Sequence, residues 1–246
     1  MKANTVQVHS SFRRQRGLSI VEFMVGIAIG LFIVGGATKL FVDNLSNNRK
    51  LLLETRVNQD LQAAADIVAR DLRRARYWSN AASGVFSTGG TMVTANPHAA
   101  VTPASGAASS VTYSYSRSTA GNADDTLDNN ENTGFQWASV GGVGVVQIID
   151  GLNNAQSLTD PSTVDITDFS VTGSPLTRDL SSYCSCMKTL TCTLASIAAT
   201  GNPPTLTINN FVVVLTGRSR TDSSVVRTIN ETVRARNESL SGTCPP

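Results

Sequence analysis

Histidine is nearly missing from this chain: there are two, His9 near the N-terminus and His98 alone in a polar stretch. Ser-His-Asp or Cys-His catalysis needs an imidazole held between a nucleophile and an orienting group, and nothing around either histidine supplies that setting. A Cys/His zinc site fails on the same ground, and the four cysteines contain no C-x-x-C step. Glycine-rich phosphate loops and dinucleotide fingerprints are missing too. The chain is expected to be no enzyme and to need no cofactor or metal. Charge is also scarce, at 15% of residues, and no acidic side chain occurs before Leu18. No proline occurs before Pro97, so nothing in the first third of the chain forces a helix to break.

What is present is a long apolar run. Arg13 to Val42 reads RRQRGLSIVEFMVGIAIGLFIVGGATKLFV, and Leu18 to Thr38 has about the 20 residues that carry a helix across a hydrocarbon core of roughly 30 Å. Lys2, Arg13, Arg14 and Arg16 precede the run, whereas Lys39 and Asp43 nearly cancel after it, so the N-terminus is expected to face the cytoplasm. One carboxylate, Glu22, interrupts the apolar sequence, and an acid inside a membrane span costs about 2.5–3.5 kcal/mol unless a partner offsets it. A secretory signal peptide, with an apolar core near Phe23 to Val34 and cleavage near Gly35 and Ala37, is the plainer alternative. It gives Glu22 no purpose, and the helical pattern continues past Ala37.

The basic leader ending in Gly17, followed by Leu18, Ser19, Ile20, Val21, Glu22 and a hydrophobic helix, resembles the type IV pilin and pseudopilin family. The resemblance implies cleavage by a prepilin peptidase between Gly17 and Leu18, N-methylation of Leu18, and a role for Glu22 in subunit docking. Major pilins usually begin with phenylalanine, so Leu18 leans towards a minor pilin. The physical logic stands beside the family: the new α-amine and the Glu22 carboxylate of a neighbouring subunit neutralise each other at the membrane edge. Gly26 and Gly30 add a small-xxx-small step that permits close helix approach.

Residues 43–78 continue the helical pattern as an amphipathic segment, with Leu45, Leu53, Val57, Leu61, Ala64, Val68, Leu72 and Ala75 at helical spacing. The whole helix is expected to run for about 55–60 residues, roughly 85 Å. Asp66 and Arg70 form a favourable i,i+4 pair, and Arg73, Arg74 and Arg76 read as solvated cations at the helix end rather than a phosphate site. Residues 79–142 are rich in Gly, Ala, Ser, Thr and Asn and are expected to be loop, with one strand near Val111 to Ser116. Asp124, Asp125, Asp128, Asn130 and Glu131 cluster there, but a calcium loop would need glycine at Thr133 and glutamate at Ser139.

Residues 143–246 read as a β-rich domain, with strands at Val143 to Ile149, Val164 to Thr172, Leu206 to Thr216 and Ser224 to Ala235. The last two form a hairpin across a Gly217 to Ser223 turn, with Val225, Ile229 and Val233 on one face. The segment FVVVLTGRSRTDSSVVRTINETVRARN resembles the end of PilW-type minor pilins, in a G-R-S turn at Gly217, Arg218 and Ser219 and a closing Arg236-Asn237 pair. The expected fold is α+β: a long N-terminal helix, membrane-spanning over 18–42, packed through its outer half on a C-terminal antiparallel sheet. Residues 1–17 are the cleaved leader.

Cys184, Cys186, Cys192 and Cys244 fall beyond the membrane segment, where an even count favours two disulfides, of which three pairings exist. A direct Cys184–Cys186 bond is strained, so each is expected to reach elsewhere, to Cys192 and to Cys244. Removing residues 1–17 leaves 16 basic against 18 acidic residues, which gives no electrostatic case for nucleic acid. The family resemblance implies as partners other minor pilins and the major pilin, the prepilin peptidase and the inner-membrane pilus assembly machinery. It also leaves open a J-type pseudopilin of a type II secretion system. A membrane-tethered adhesin or DNA-uptake protein is the rival from another class.

Overall fold

The computed structural model describes residue 17 and residues 19–84, 94–117, 126–151, 154–188, 191–198 and 202–244. The chain separates into two compact units, residues 1–49 and residues 50–246. One helix, α1 (Ile20–Leu72), runs through the first and begins the second. Two short helices, α2 (Ser185–Lys188) and α3 (Leu194–Ala198), come later. The fold is α+β, as the alternation of helical and strand patterns indicates.

The helix ends earlier than residue 78. After Leu72 the backbone tightens, with Arg74 and Ala75 donating to Asp71 and Leu72, and Arg76 then takes a φ of +67°. That left-handed step reverses the chain. It brings the Arg76 N–H to the Ser114 carbonyl at 2.8 Å and the Tyr77 carbonyl to the Ser116 N–H at 2.8 Å.

Among the described residues ten strands follow: β1 (Val101–Thr102), β2 (Gly106–Ala108), β3 (Ser110–Ser114), β4 (Asn132–Val140), β5 (Val143–Ile149), β6 (Ala155–Ser157), β7 (Val164–Asp179), β8 (Thr205–Ser219), β9 (Val226–Arg234) and β10 (Ser239–Ser241). They build two antiparallel sheets. The first has the order β1-β3-β4-β5-β6; the second has β10-β8-β7-β2, with β9 also on β8. Much of 79–142, expected to be loop, is therefore sheet. β3 lies where a strand was expected near Val111 to Ser116; the other three escape composition-based reading because β1 and β2 are only two and three residues long, and β4 (NTGFQWASV) buries Thr133, Gly134 and Phe135 in succession, leaving no clean alternation.

The second sheet holds the core. On β8 the odd positions Phe211, Val213, Leu215 and Gly217 face inward. Their partners on β7 are in register because the bulge at Thr167 shifts the phase: Val164 and Ile166 are buried before it, Phe169 and Val171 after it. These side chains join Val57, Leu61, Ala64, Val68 and Leu72 of α1 and Phe135 of β4 in one hydrophobic cluster. Gly217 and its neighbours Arg218 and Ser219, expected as a turn, are the last residues of β8. Gly217 is small for a reason: a Cβ there would lie 2.9 Å from both Leu61 and Val164.

The two sheets meet at Gly144. A Cβ at that position would sit 1.9 Å from the Ile166 carbonyl oxygen, so only glycine lets β5 cross β7 so closely. The Gly144 N–H donates to Asp165 at 2.8 Å, and Trp137 donates its indole N–H to the Ile166 carbonyl at 2.9 Å. Arg218 closes the junction with a 2.8 Å ion pair to Asp165. Burial raises the Asp165 carboxyl, but the Gly144 N–H and the Arg218 guanidinium outweigh it and hold the pKa below its ordinary value.

Candidate functional site

The first unit presents an apolar surface that nothing in this unit covers. Phe23, Ile29, Leu31, Phe32, Leu40 and Phe41 are all more than half exposed, Phe32 at 85%. A helix apolar all round is stable in hydrocarbon or against other helices, not in water. This one is long and apolar enough to cross a membrane. Its polar side chains are few and managed: the Thr38 hydroxyl donates back to the Val34 carbonyl at 2.8 Å. Glycines 26, 30, 35 and 36 have open space where a Cβ would stand, so the small-xxx-small face is available to another helix.

Glu22 lies in the first turn of α1, where the dipole favours an anion, and its side chain is exposed. Gly17 precedes the helix as exposed, non-helical backbone, and the first intrahelical bond runs from the Phe23 N–H to the Ser19 carbonyl at 3.0 Å. Leu18 and the basic leader residues Arg13, Arg14 and Arg16 lie outside the described residues.

In the second unit, the end of α1 is finished by the end of the chain. The Arg236 N–H donates to the Arg73 carbonyl at 3.2 Å, and Asn237 donates its amide to the Ala75 carbonyl at 3.1 Å. The Arg-Asn pair at the close of the last long strand is thus a cap for the helix, satisfying carbonyls that would otherwise be orphaned. Glu54 pairs with Arg227 at 2.6 Å, Asp60 accepts from Thr163 at 3.2 Å, and Arg73 pairs with Glu231 at 3.5 Å. The anticipated Asp66–Arg70 pair is not made; the helix spends its charges on the strands instead.

Of the three arginines at the helix end, Arg73 and Arg74 are exposed and paired, Arg74 with Asp71 at 3.4 Å. Arg76, read as solvated, is buried, with 7% of its surface exposed. The left-handed turn carries it inward, and no periodicity signals such a turn. Asp71 also accepts from the Tyr113 phenol at 2.6 Å, and burial with that carboxylate pushes the phenol pKa up.

The cysteines form two bridges, Cys184–Cys244 and Cys186–Cys192, which tie the segment around α2 and α3 to the end of the chain. Of the acidic cluster, Asp124 and Asp125 lie outside the described residues. The Glu131 carboxylate is buried and accepts from the Arg117 and Asp128 N–H groups, closing a loop on itself. Among the described residues, no group of three or more His, Cys, Asp or Glu is placed to hold a metal.

A membrane-compatible helix that leads into an α+β domain, its end capped by the closing strand, defines a pilin-like class of protein. The chain belongs to the family of prepilin peptidase-dependent protein B, whose family model matches residues 50–235, well over half of the sequence. It is a type IV pilus-related protein. The match begins beyond the leader and the apolar helix, so it is independent of the Gly17–Glu22 motif, and it spans the middle region in which no motif was legible. Searches of curated proteins and of solved structures each found no match.

Proposed function

We propose that this chain is a PilW-type minor pilin, a structural and priming subunit of type IV pilus assembly. It is held in the inner membrane with its N-terminus in the cytoplasm until it enters the pilus at the cell surface. The prepilin peptidase cuts between Gly17 and Leu18, Leu18 is methylated, and the Glu22 carboxylate pairs with the α-amine of an adjoining subunit. Its partners are other minor pilins, the major pilin and the inner-membrane assembly machinery, and its role is structural rather than catalytic. Twitching motility and cell adhesion depend on it through the filaments it primes.

The observation that carries this reading is an exposed apolar helix with one carboxylate in its first turn and glycines open to a neighbouring helix. A plain anchor has no use for that carboxylate, whereas a filament subunit gains a charge pair that forms only on assembly. Replacing Glu22 with Gln tests it. Membrane insertion and cleavage should persist, because an amide is less costly than a carboxylate in hydrocarbon and the scissile bond is untouched. Incorporation should fall. Wild-type and variant protein are compared in sheared pilus fractions and inner membrane, with processing read by N-terminal sequencing. Wild-type incorporation of Glu22→Gln would remove the docking role, and a mature N-terminus at Thr38 would replace the whole reading with an ordinary signal peptide.

A further inference from the structure

Arg76 is a buried cation with no counter-charge. The residue is over nine-tenths buried, its Nε meets no acceptor, and among the described residues no carboxylate comes within ion-pair distance. Desolvation lowers its pKa, with no neighbouring anion to oppose the shift. Leaving a charge in that condition is costly, so a reason for keeping it there is required. The backbone is not free to release it. Arg76 is held at a φ of +67°, its N–H given to Ser114 and its carbonyl taken by the Asn96 amide at 3.0 Å. A non-glycine residue fixed in that region is strained, and strain of this kind concentrates where a side chain must be aimed.

Arg76 lines a cleft of about 440 Å³. Trp78, Leu206 and Leu240 give it apolar walls, and its charged lining residues are Arg76, Arg236 and Glu238. Glu238 is already paired with Arg234, and the amides of Asn96 and Asn237 are spent on the Arg76 and Ala75 carbonyls. The charged donors left for a ligand are the two guanidiniums, that of the buried Arg76 and that of Arg236 at the exposed rim. With Glu238 neutralised by Arg234, the lining offers two cationic forks with apolar surface beside them.

We propose that this cleft is a binding site for a single carboxylate borne on a short, partly apolar stem, the chemistry of a Glu or Asp side chain on a partner peptide. Arg76 is the buried anchor and Arg236 the rim contact. A planar carboxylate matches a guanidinium fork, and the Trp78, Leu206 and Leu240 walls suit a carbon stem that phosphate lacks. The site lies in the second unit and is independent of the Glu22 reading.

The test uses the full chain in detergent micelles, labelled so that the arginine Nε–H resonances are resolved. It is titrated at constant ionic strength with N-acetylglutamate α-amide, with acetate, and with inorganic phosphate and chloride. The Arg76 Nε–H resonance should move saturably with the glutamate derivative, with acetate weaker for want of a stem and chloride without effect. Arg76→Met, followed at the Arg236 Nε–H, should weaken binding on the order of ten- to a hundredfold, the size expected for losing a charged hydrogen-bond partner. Arg236→Gln, on the exposed rim, should weaken it several-fold with an unchanged fold. Thermal unfolding without ligand supplies the reading that a merely structural role would move: Arg76→Met should be as stable as wild type or more so, since it removes an unpaired buried charge. A resonance that ignores the glutamate derivative, wild-type affinity in both variants, or phosphate binding more tightly than the carboxylates would each overturn the proposal.

Discussion

Leu31 and Leu61 stand on the same helix, yet Leu31 is 68% exposed and Leu61 is completely buried. Around Leu31 every side of α1 is apolar and no strand covers it within its unit. Around Leu61 the apolar positions shrink to the stripe Val57, Leu61, Ala64, Val68 and Leu72, and the other faces carry Glu54, Arg56, Asp60 and Arg70. The difference teaches that helix formation is not what separates the two regions, since both lack proline and hold regular hydrogen bonds. What separates them is where the hydrophobic free energy comes from. The second stretch obtains it from its own sheets, and the first must obtain it from lipid or from other chains.

The sharpest way to break that comparison is to truncate both leucines. Leu61→Ala removes a side chain from a closed cluster and should cost about 2–5 kcal/mol in urea unfolding followed by near-ultraviolet circular dichroism. Leu31→Ala should leave that transition within about 0.5 kcal/mol of wild type. Equal losses at the two sites would mean that the first stretch also packs within the folded chain.

The disulfides sharpen it from the other end of the sequence. Cys184–Cys244 closes 60 residues and Cys186–Cys192 only 6. Chain-entropy reasoning gives about 4 kcal/mol for the first and about 2 kcal/mol for the second. Paired Cys-to-Ser replacements, compared by thermal unfolding, should rank in that order. Both effects belong to the second unit, so sedimentation of the protein with membranes should not change.

How much of this could be read in advance follows the same physical division. The apolar helix was legible because hydrophobicity without period is a strong signal, and β5, β7, β8 and β9 were legible because long runs of β-branched residues repeat along them. β3 was legible in the alternation near Val111, but β1 and β2 are too short to carry a pattern, and in β4 Gly134 is fixed by the approach of the Val111 carbonyl, 2.3 Å from where a Cβ would stand, a contact set by tertiary structure. The Gly217–Ser219 stretch misled for a similar reason: its glycine makes room for Leu61 rather than a turn. Of the candidate site, Glu22 stood out as a charge in an apolar run. Arg76 did not, because its burial depends on one left-handed residue.

A smaller effect separates the units by pH. Asp165 titrates below 3.8 in the folded protein, its ordinary value being 3.8. Its contribution is therefore present above that value and is lost as the pH falls through the folded pKa. Asp165→Asn should be less stable than wild type near neutrality by about 1.5–3 kcal/mol, the worth of hydrogen bonds to a charged group. The gap should narrow below about pH 4. Asp160, Asp179 and Asp222 are also held low by their Ser162, Ser181 and Ser224 partners, so the difference between the two proteins, not the wild-type slope, is the measurement. A gap that stays constant down to about pH 3 would remove the Arg218 and Gly144 contacts as its cause.

The smallest effect lies where the helix stops. Within the first stretch, each carbonyl of α1 is satisfied by the helix itself, but the carbonyls after Leu72 need partners from elsewhere, and Asn237 provides one for Ala75. Asn237→Ala removes that donor while leaving the Arg236 N–H on the Arg73 carbonyl, because the latter is a backbone bond. Net loss of one such hydrogen bond is about 1 kcal/mol, enough to lower the urea midpoint without altering the slope of the transition. The effect should also be local. Amide exchange at Arg74 to Tyr77, whose N–H groups close the turn after the helix, should accelerate in Asn237→Ala, whereas amides of Val57 to Val68, held by the cluster, should exchange at the wild-type rate. Uniform acceleration along the helix would make Asn237 a part of the global fold rather than the cap of its last turn, and no acceleration at all would show that Ala75 finds another donor when the amide is gone.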